Sequence, residues 1–196
     1  MDELDKIKNQ VVSCTLCNLC KNRINAVPGR GSHDAKVIFV GEAPGRFEDI
    51  KGEPFVGPAG KKLDEALRQA GFDKNSVYIT NVVKCRPPNN RVPHIVEVES
   101  CHDYLDKEIS LIKPTIVCIL GNTAYGSLLG GANISKNRGK IIERNGVLYF
   151  LTYHPAAVIY NKNLFEVLKK DLDKLRETVT HLKNGKVVKP DIEITS

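Results

Sequence analysis

The residues with the most obvious chemistry are thiols. Cys14, Cys17 and Cys20 follow one another at C-x-x-C-x-x-C spacing, and Cys85 and Cys101 stand much later, separated by fifteen residues. In an intracellular chain such thiols more often bind metal or do chemistry than form disulfides. Cys14 and Cys17 with Cys85 and Cys101 make a four-thiolate set, which by residue type takes zinc or an iron–sulfur cluster equally well. The spacing argues mildly against a zinc ribbon, which repeats a close pair. Cys20 is an extra thiol able to compete as a ligand, and Cys118, inside the apolar run VCIL, reads as a core residue. The plain alternative is that Cys85 and Cys101 are unrelated core thiols.

A second set of chemical residues lies around VIFVGEAPGRFEDIKGEPFVGPAGKKLDEAL, residues 37–67. It reads as a buried strand, a loop dense in glycine, proline and acids, and an amphipathic helix starting near Pro58. That order presents backbone N–H groups and a few side chains to a ligand beyond a strand's carboxyl end. Five glycines permit close backbone approach and positive φ, and Phe55 among them, next to carboxylates, suits a slot for a flat ring. Neither the dinucleotide fingerprint nor the phosphate-binding P-loop spacing is present, so a tight structural turn stands as the alternative. Asn81, where a second strand ends, offers a donor and an acceptor that match a pyrimidine's N3–H and O4; Asn there is also a common turn residue. His154-Pro155 follows another strand, and a histidine there suits donation to a developing anion or acid–base work, although a lone histidine is more often structural.

These residues need a frame to hold them. The 196 residues suit one domain with a full core. No apolar run approaches membrane-span length, and the charged N-terminus lacks a signal-peptide core, which points to a soluble, intracellular (cytoplasmic) protein. A net charge of +6 and a pI near 9.0 modestly favour an anionic partner such as nucleic acid. The periodicity predicts helices over residues 2–13, 61–70, 93–109, 123–129 and 163–182, and strands over 37–40, 77–80 and 115–120. Ile141–Arg144 and Val147–Thr152 flank Asn145-Gly146, a strong hairpin signal. RPPNNR, residues 86–91, reads as a loop. Lys136, Arg138 and Lys140 form a basic patch in the loop 130–139, and the tail after Asn184 reads as loosely held. Strands alternating with helices imply an α/β fold with a parallel sheet covered on both faces.

Taken together, GEAPG at 41–45, GEPFVGPAG at 52–60, ITNVVKCRPPNNR at 79–91, YHPAA at 153–157 and the four cysteines resemble the family 4 uracil-DNA glycosylases, the iron–sulfur type of archaea and bacteria. The likeness spans roughly residues 10–180. It implies a three-layer α/β/α fold with a central four-stranded parallel sheet, with Ile141–Arg144 a short edge piece. It implies that Phe55 stacks on a flipped uracil, Asn81 bonds its polar edge, and His154 points at O2 of the leaving base. Glu42 and the 41–45 loop, including Gly41 and Ala43, would lie near the sugar and the attacking water. Cys14, Cys17, Cys85 and Cys101 would hold a [4Fe–4S] cluster, and Pro155–Tyr160 resembles the segment that enters the duplex. The partner would be uracil-containing DNA, single-stranded or with G·U and A·U pairs, bound by a monomer, with repair begun by leaving an abasic site.

Two departures matter. Arg46 and Phe47 precede Glu48 and Asp49 where family members often carry an acidic run, so Glu48 is only a tentative catalytic acid. Ala43 stands where another branch of the superfamily has an aspartate, which removes the obvious general base. The competing readings are a non-catalytic iron–sulfur or zinc DNA-binding module and a variant that keeps the abasic sugar as a covalent adduct. The latter would carry a basic, His-containing insertion near residues 86–91; the chain has Arg91 and His94 there without an evident insertion.

Overall fold

The computed structural model describes residues 2–195. Its helices and strands are α1 (Glu3–Val12), β1 (Arg30–Gly31), β2 (Val37–Gly41), α2 (Arg46–Lys51), α3 (Pro58–Gln69), β3 (Tyr78–Asn81), α4 (Ile95–Ile112), β4 (Ile116–Leu120), α5 (Asn122–Leu129), α6 (Ile134–Asn137), β5 (Ile141–Arg144), β6 (Val147–Thr152), α7 (Ala156–Tyr160), α8 (Leu164–Lys183) and β7 (Ile192–Ile194). No helix among the described residues is long and apolar enough to cross a membrane.

The sheet runs β1-β3-β2-β4-β6-β5-β7. Its centre, β3-β2-β4-β6, is parallel throughout, and these are the four strands the resemblance implies. The sheet is nevertheless larger than four, because β1 adds antiparallel to β3, β5 adds antiparallel to β6, and β7 adds parallel to β5. The tail after Asn184 is therefore not loose over its whole length: Ile192–Ile194 forms an edge strand, and Asp191 accepts the Ile141 N–H at 2.7 Å. The hairpin forms as its Asn-Gly turn dictates, with both turn residues at positive φ. Its first strand lies inside the sheet, since β7 covers it.

The central strands are buried on both faces and alternate their side chains between two cores. Ile38, Val40, Val117, Ile119 and Leu151 point into one with Leu4, Ile7, Val11, Leu105 and Ala124, which places α1, α4 and α5 on that face. Val37, Phe39, Ile116, Cys118, Leu120 and Phe150 point into the other with Leu63, Leu67, Val158, Leu168 and Leu172, so α3, α7 and α8 cover the opposite face. Cys118 is fully buried there, as a core residue should be. The chain leaves β2 toward α3 on one face and leaves neighbouring β4 toward α5 on the other. Such a reversal opens a crevice beyond the carboxyl ends of the strands, directly above Gly41 and Asn81.

The loop after β2 is more ordered than its composition implies. It contains α2, and its two buried acids, Glu48 and Asp49, accept hydrogen bonds from backbone N–H groups. Buried Asp49 accepts the N–H groups of Ile24 and Asn25 at 2.8 and 3.2 Å. The basic patch is likewise partly internal. Arg138 pairs through two nitrogens with buried Asp171, which also accepts from Thr152 Oγ1 at 2.7 Å, and Lys140 donates to Asn137.

Candidate active site

Gly41 ends β2, and a methyl group added to it would lie 2.5 Å from Asn81 Oδ1 and 2.6 Å from Phe55 Cζ. Glycine is thus required because two side chains converge on the space a Cβ would fill. Phe55 arrives from the loop before α3 with φ of 53°, a conformation that costs a bulky residue about 1–2 kcal/mol. Its neighbours enforce it. A Cβ on Gly60 would sit 1.8 Å from the Phe55 carbonyl, and Glu48 pins the loop. That carboxylate is buried and accepts N–H groups from Gly45 at 3.1 Å, Val56 at 3.0 Å and Gly57 at 2.7 Å. Of the five glycines in the segment only Gly52 has positive φ, so the rest serve close approach rather than unusual backbone angles.

Ala43, Gly45, Glu48, Phe55, Ala59, Asn81 and His154 line one cavity of about 90 Å³. The Phe55 and His154 rings stand 5.7 Å apart, tilted by 34°. Asn81 is buried, and its Oδ1 has no hydrogen-bond partner among the described residues. A buried polar atom left unpaired costs about 1–3 kcal/mol, and here it is an acceptor beside a cavity, ready for a ligand's N–H donor.

His154 is fixed by the chain that follows it. The Ala156 N–H donates to Nδ1 at 3.1 Å, which makes Nδ1 the acceptor and leaves the proton of the neutral ring on Nε2. Although part of the residue's surface stays open, the ring is enclosed by protein, and burial pushes the imidazole down to about 4. At neutral pH it is an uncharged donor. A Cβ on Gly121 would meet His154 Cβ at 2.9 Å, so the turn out of β4 is also shaped around this side chain.

Glu42 is placed apart from the cavity's lining. Its carboxylate accepts from Thr123 Oγ1 in the first turn of α5, and its carbonyl accepts the Val83 N–H at 3.1 Å. Thr123 and Ala59 were not singled out by sequence reasoning. Neither has a local signal, since each meets the site only through the packing of its helix.

The cysteines form a separate centre. Cys14 and Cys17 pack against the same core as buried Cys85 and Cys101. Burial pushes Cys101 up to about 11, with Cys85 and Cys17 adding to the effect as neighbouring thiols. Burial also raises Cys85, while the Arg23 guanidinium, donating to its Sγ at 3.0 Å, opposes the shift. Cys17 is raised by burial too, with Cys14 and Cys20 close enough to contribute. Cys20 thus stands at the edge of the group.

The pattern of the Uracil DNA glycosylase superfamily matches residues 28–183. The chain is 48% identical over 187 residues to the type-4 uracil-DNA glycosylase of Sulfurisphaera tokodaii, covering 90% of this chain and 85% of that protein. It is 47% identical to the type-4 uracil-DNA glycosylase of Archaeoglobus fulgidus, covering 90% and 94%. The type-5 uracil-DNA glycosylase of Pyrobaculum aerophilum shares 32% identity, covering 74% of each chain. With the cavity at the head of β2 and β3 and matches of this extent, the chain belongs to the uracil-DNA glycosylase superfamily and groups with its type-4 members.

Proposed function

We propose that this protein, acting as a single domain, excises uracil from DNA by hydrolysing the N-glycosidic bond and leaves an abasic site. The observation that carries the reading is the unpartnered Asn81 Oδ1 at a small cavity walled by Phe55 and His154. Uracil has the complementary edge: its N3–H meets Oδ1, and its O4 accepts from the amide nitrogen. With the amide held in that orientation, cytosine sets its N3 acceptor against Oδ1 and its N4–H donor against the amide nitrogen, a mismatch large enough for strong discrimination.

The target base must leave the stack to reach the cavity, at a cost of a few kcal/mol that is smallest in mispairs and single strands. Lysine and arginine contacts to phosphate offset that cost and make binding salt-dependent. Phe55 stacks on the base. As the glycosidic bond lengthens, negative charge grows on uracil and the sugar becomes oxocarbenium-like. The Nε2–H of neutral His154 donates to O2 of the departing base, stabilising charge that is absent in the ground state. We assign to Glu42, whose carboxylate Thr123 orients, the role of favouring the sugar cation and positioning water. Glu48 acts by holding the Phe55 loop, since its hydrogen bonds go to backbone.

Cys14, Cys17, Cys85 and Cys101 would hold a [4Fe–4S] cluster, whose chemistry here is to cross-link the segment after α1 to residues 85–101. The donor set supports this: four clustered thiols, with Arg23 beside them to balance thiolate charge.

The test is uracil release from a labelled single-stranded oligonucleotide and from G·U and A·U duplexes, with thymine as control. Alkali-sensitive cleavage at uracil alone supports the proposal. Intact DNA binding without abasic product would point to a non-catalytic module, and a stable protein–DNA adduct to the covalent variant.

A further inference from the structure

Directly behind Asn81 lies a buried ion pair that the mechanism above does not use. Lys84 and Glu108 are each 1% exposed, with Nζ and Oε2 2.7 Å apart. All three ammonium donors are taken: Glu108 Oε2, Thr80 Oγ1 at 2.6 Å and the Asn81 carbonyl at 2.9 Å. Glu108 also accepts from Thr80 Oγ1 at 2.9 Å, from Tyr78 Oη at 3.2 Å and from the Gly29 N–H at 3.1 Å. Burying two charges is a poor route to stability, since apolar residues of similar volume often serve as well or better. The arrangement calls for another explanation.

Asn81 supplies one. Its Oδ1 has no hydrogen-bond partner among the described residues, so none of them aims that oxygen into the cavity by a hydrogen bond. Its direction rests on packing beside Gly41 and on where the backbone of residue 81 sits. That backbone is the last residue of β3, paired with Gly41, and its carbonyl is held by Lys84. We infer that Lys84 and Glu108 are positioning residues for base recognition, fixing the Asn81 peptide so that the side-chain amide meets the pyrimidine edge. The pair links β3 to α4, so the sheet's exit and the helix covering it move as one body. This rests on the reading of Asn81 as the base-binding residue.

The test uses the intact protein with its metal centre and compares wild type, the charge-free pair Lys84→Met/Glu108→Gln, the milder Glu108→Gln, Asn81→Ala, and the combination of all three substitutions. In single-turnover uracil release the charge-free pair should lose roughly 10- to 100-fold, the scale expected of a misplacement near 1 Å, with DNA affinity unchanged. Added to Asn81→Ala it should cost less than about 2-fold more, because the residue it positions is already gone. A pair acting only on general stability would instead lower the rate by the same factor in both backgrounds, which would overturn the inference. Side-chain amide resonances of Asn81, assigned by their loss in Asn81→Ala, give a readout free of catalysis. They should shift or broaden in the charge-free pair and, if that variant does not fold, in Glu108→Gln; an unmoved Asn81 signal in a folded variant refutes positioning. Wild type that shows the shift on substitution but releases no uracil would refute the glycosylase reading and leave the positioning of Asn81 standing.

Discussion

Gly41→Ala is the sharpest probe of the site because the structure sets its size. The new methyl carbon would fall 2.5 Å from Asn81 Oδ1 and 2.6 Å from Phe55 Cζ, whereas ordinary contact begins near 3.4 Å. Asn81 must therefore retreat by about 0.9 Å and Phe55 by about 0.8 Å, or β2 must move. Phe55 cannot yield freely, since Gly60 and the Glu48 clamp hold its backbone. A displacement near 1 Å costs on the order of 10²-fold in rate, about 2.7 kcal/mol of barrier. Stability should change less: overpacking costs about 1–3 kcal/mol, partly offset by roughly 0.4–1 kcal/mol because alanine restricts the unfolded chain. The assay is single-turnover uracil release, with DNA affinity from fluorescence anisotropy and folding from thermal melting. The expected result is a rate down about 100-fold on a folded protein that still binds DNA. A rate within about 3-fold of wild type would mean that Asn81 and Phe55 do not jointly grip the base.

Four further outcomes are expected. His154→Ala should slow excision by about 10²–10³-fold, the scale of losing one donor to a developing anion, while DNA binding persists; an unchanged single-turnover rate would remove it from the chemistry. Because burial holds this histidine near 4, below its unfolded value of about 6.5, the unfolded chain binds the extra proton first. Its contribution to stability is complete above about pH 6.5 and is lost as pH falls toward 4, and a melting series should show that part of the acid sensitivity missing in His154→Gln. Glu48→Ala should orphan three backbone donors and cost about 1–3 kcal/mol or more, lowering the melting temperature and the rate together; a full-rate, fully stable variant would show that the clamp is dispensable. Purified protein should carry about four irons with broad visible absorption, and Cys101→Ser should lose most of both; stoichiometric zinc without iron would refute the cluster.

The elements were largely legible in the chain. Buried parallel strands announce themselves as short β-branched runs, α3 begins at Pro58 because proline suits a helix's first turn, and the Asn-Gly turn sets the hairpin between β5 and β6. What escaped was short or non-local. The two residues of β1 and the three of β7 have no periodicity to read, and each exists only because a sheet edge accepts it. Inside the loop after β2, α2 was hidden by its flanking glycines.

The site divides the same way. Sequence alone singled out Phe55, Asn81, His154 and four cysteines as candidates, since few residue types can stack on a base, read its edge or hold a cluster, and the fold gathers the first three around one cavity. It could not assign the acids, because a carboxylate's role depends on what surrounds it. Glu48 and Asp49 adjoin in the chain, yet both proved to cap backbone N–H groups, while Glu42 found its partner in Thr123, eighty-one residues away. Nor could it reveal that Lys84 lies buried against Glu108, twenty-four residues on. Local pattern determines secondary structure and the kinds of chemistry available. Burial and pairing across distant elements decide which ionisable groups remain free to perform it, and those properties exist only once the chain has folded.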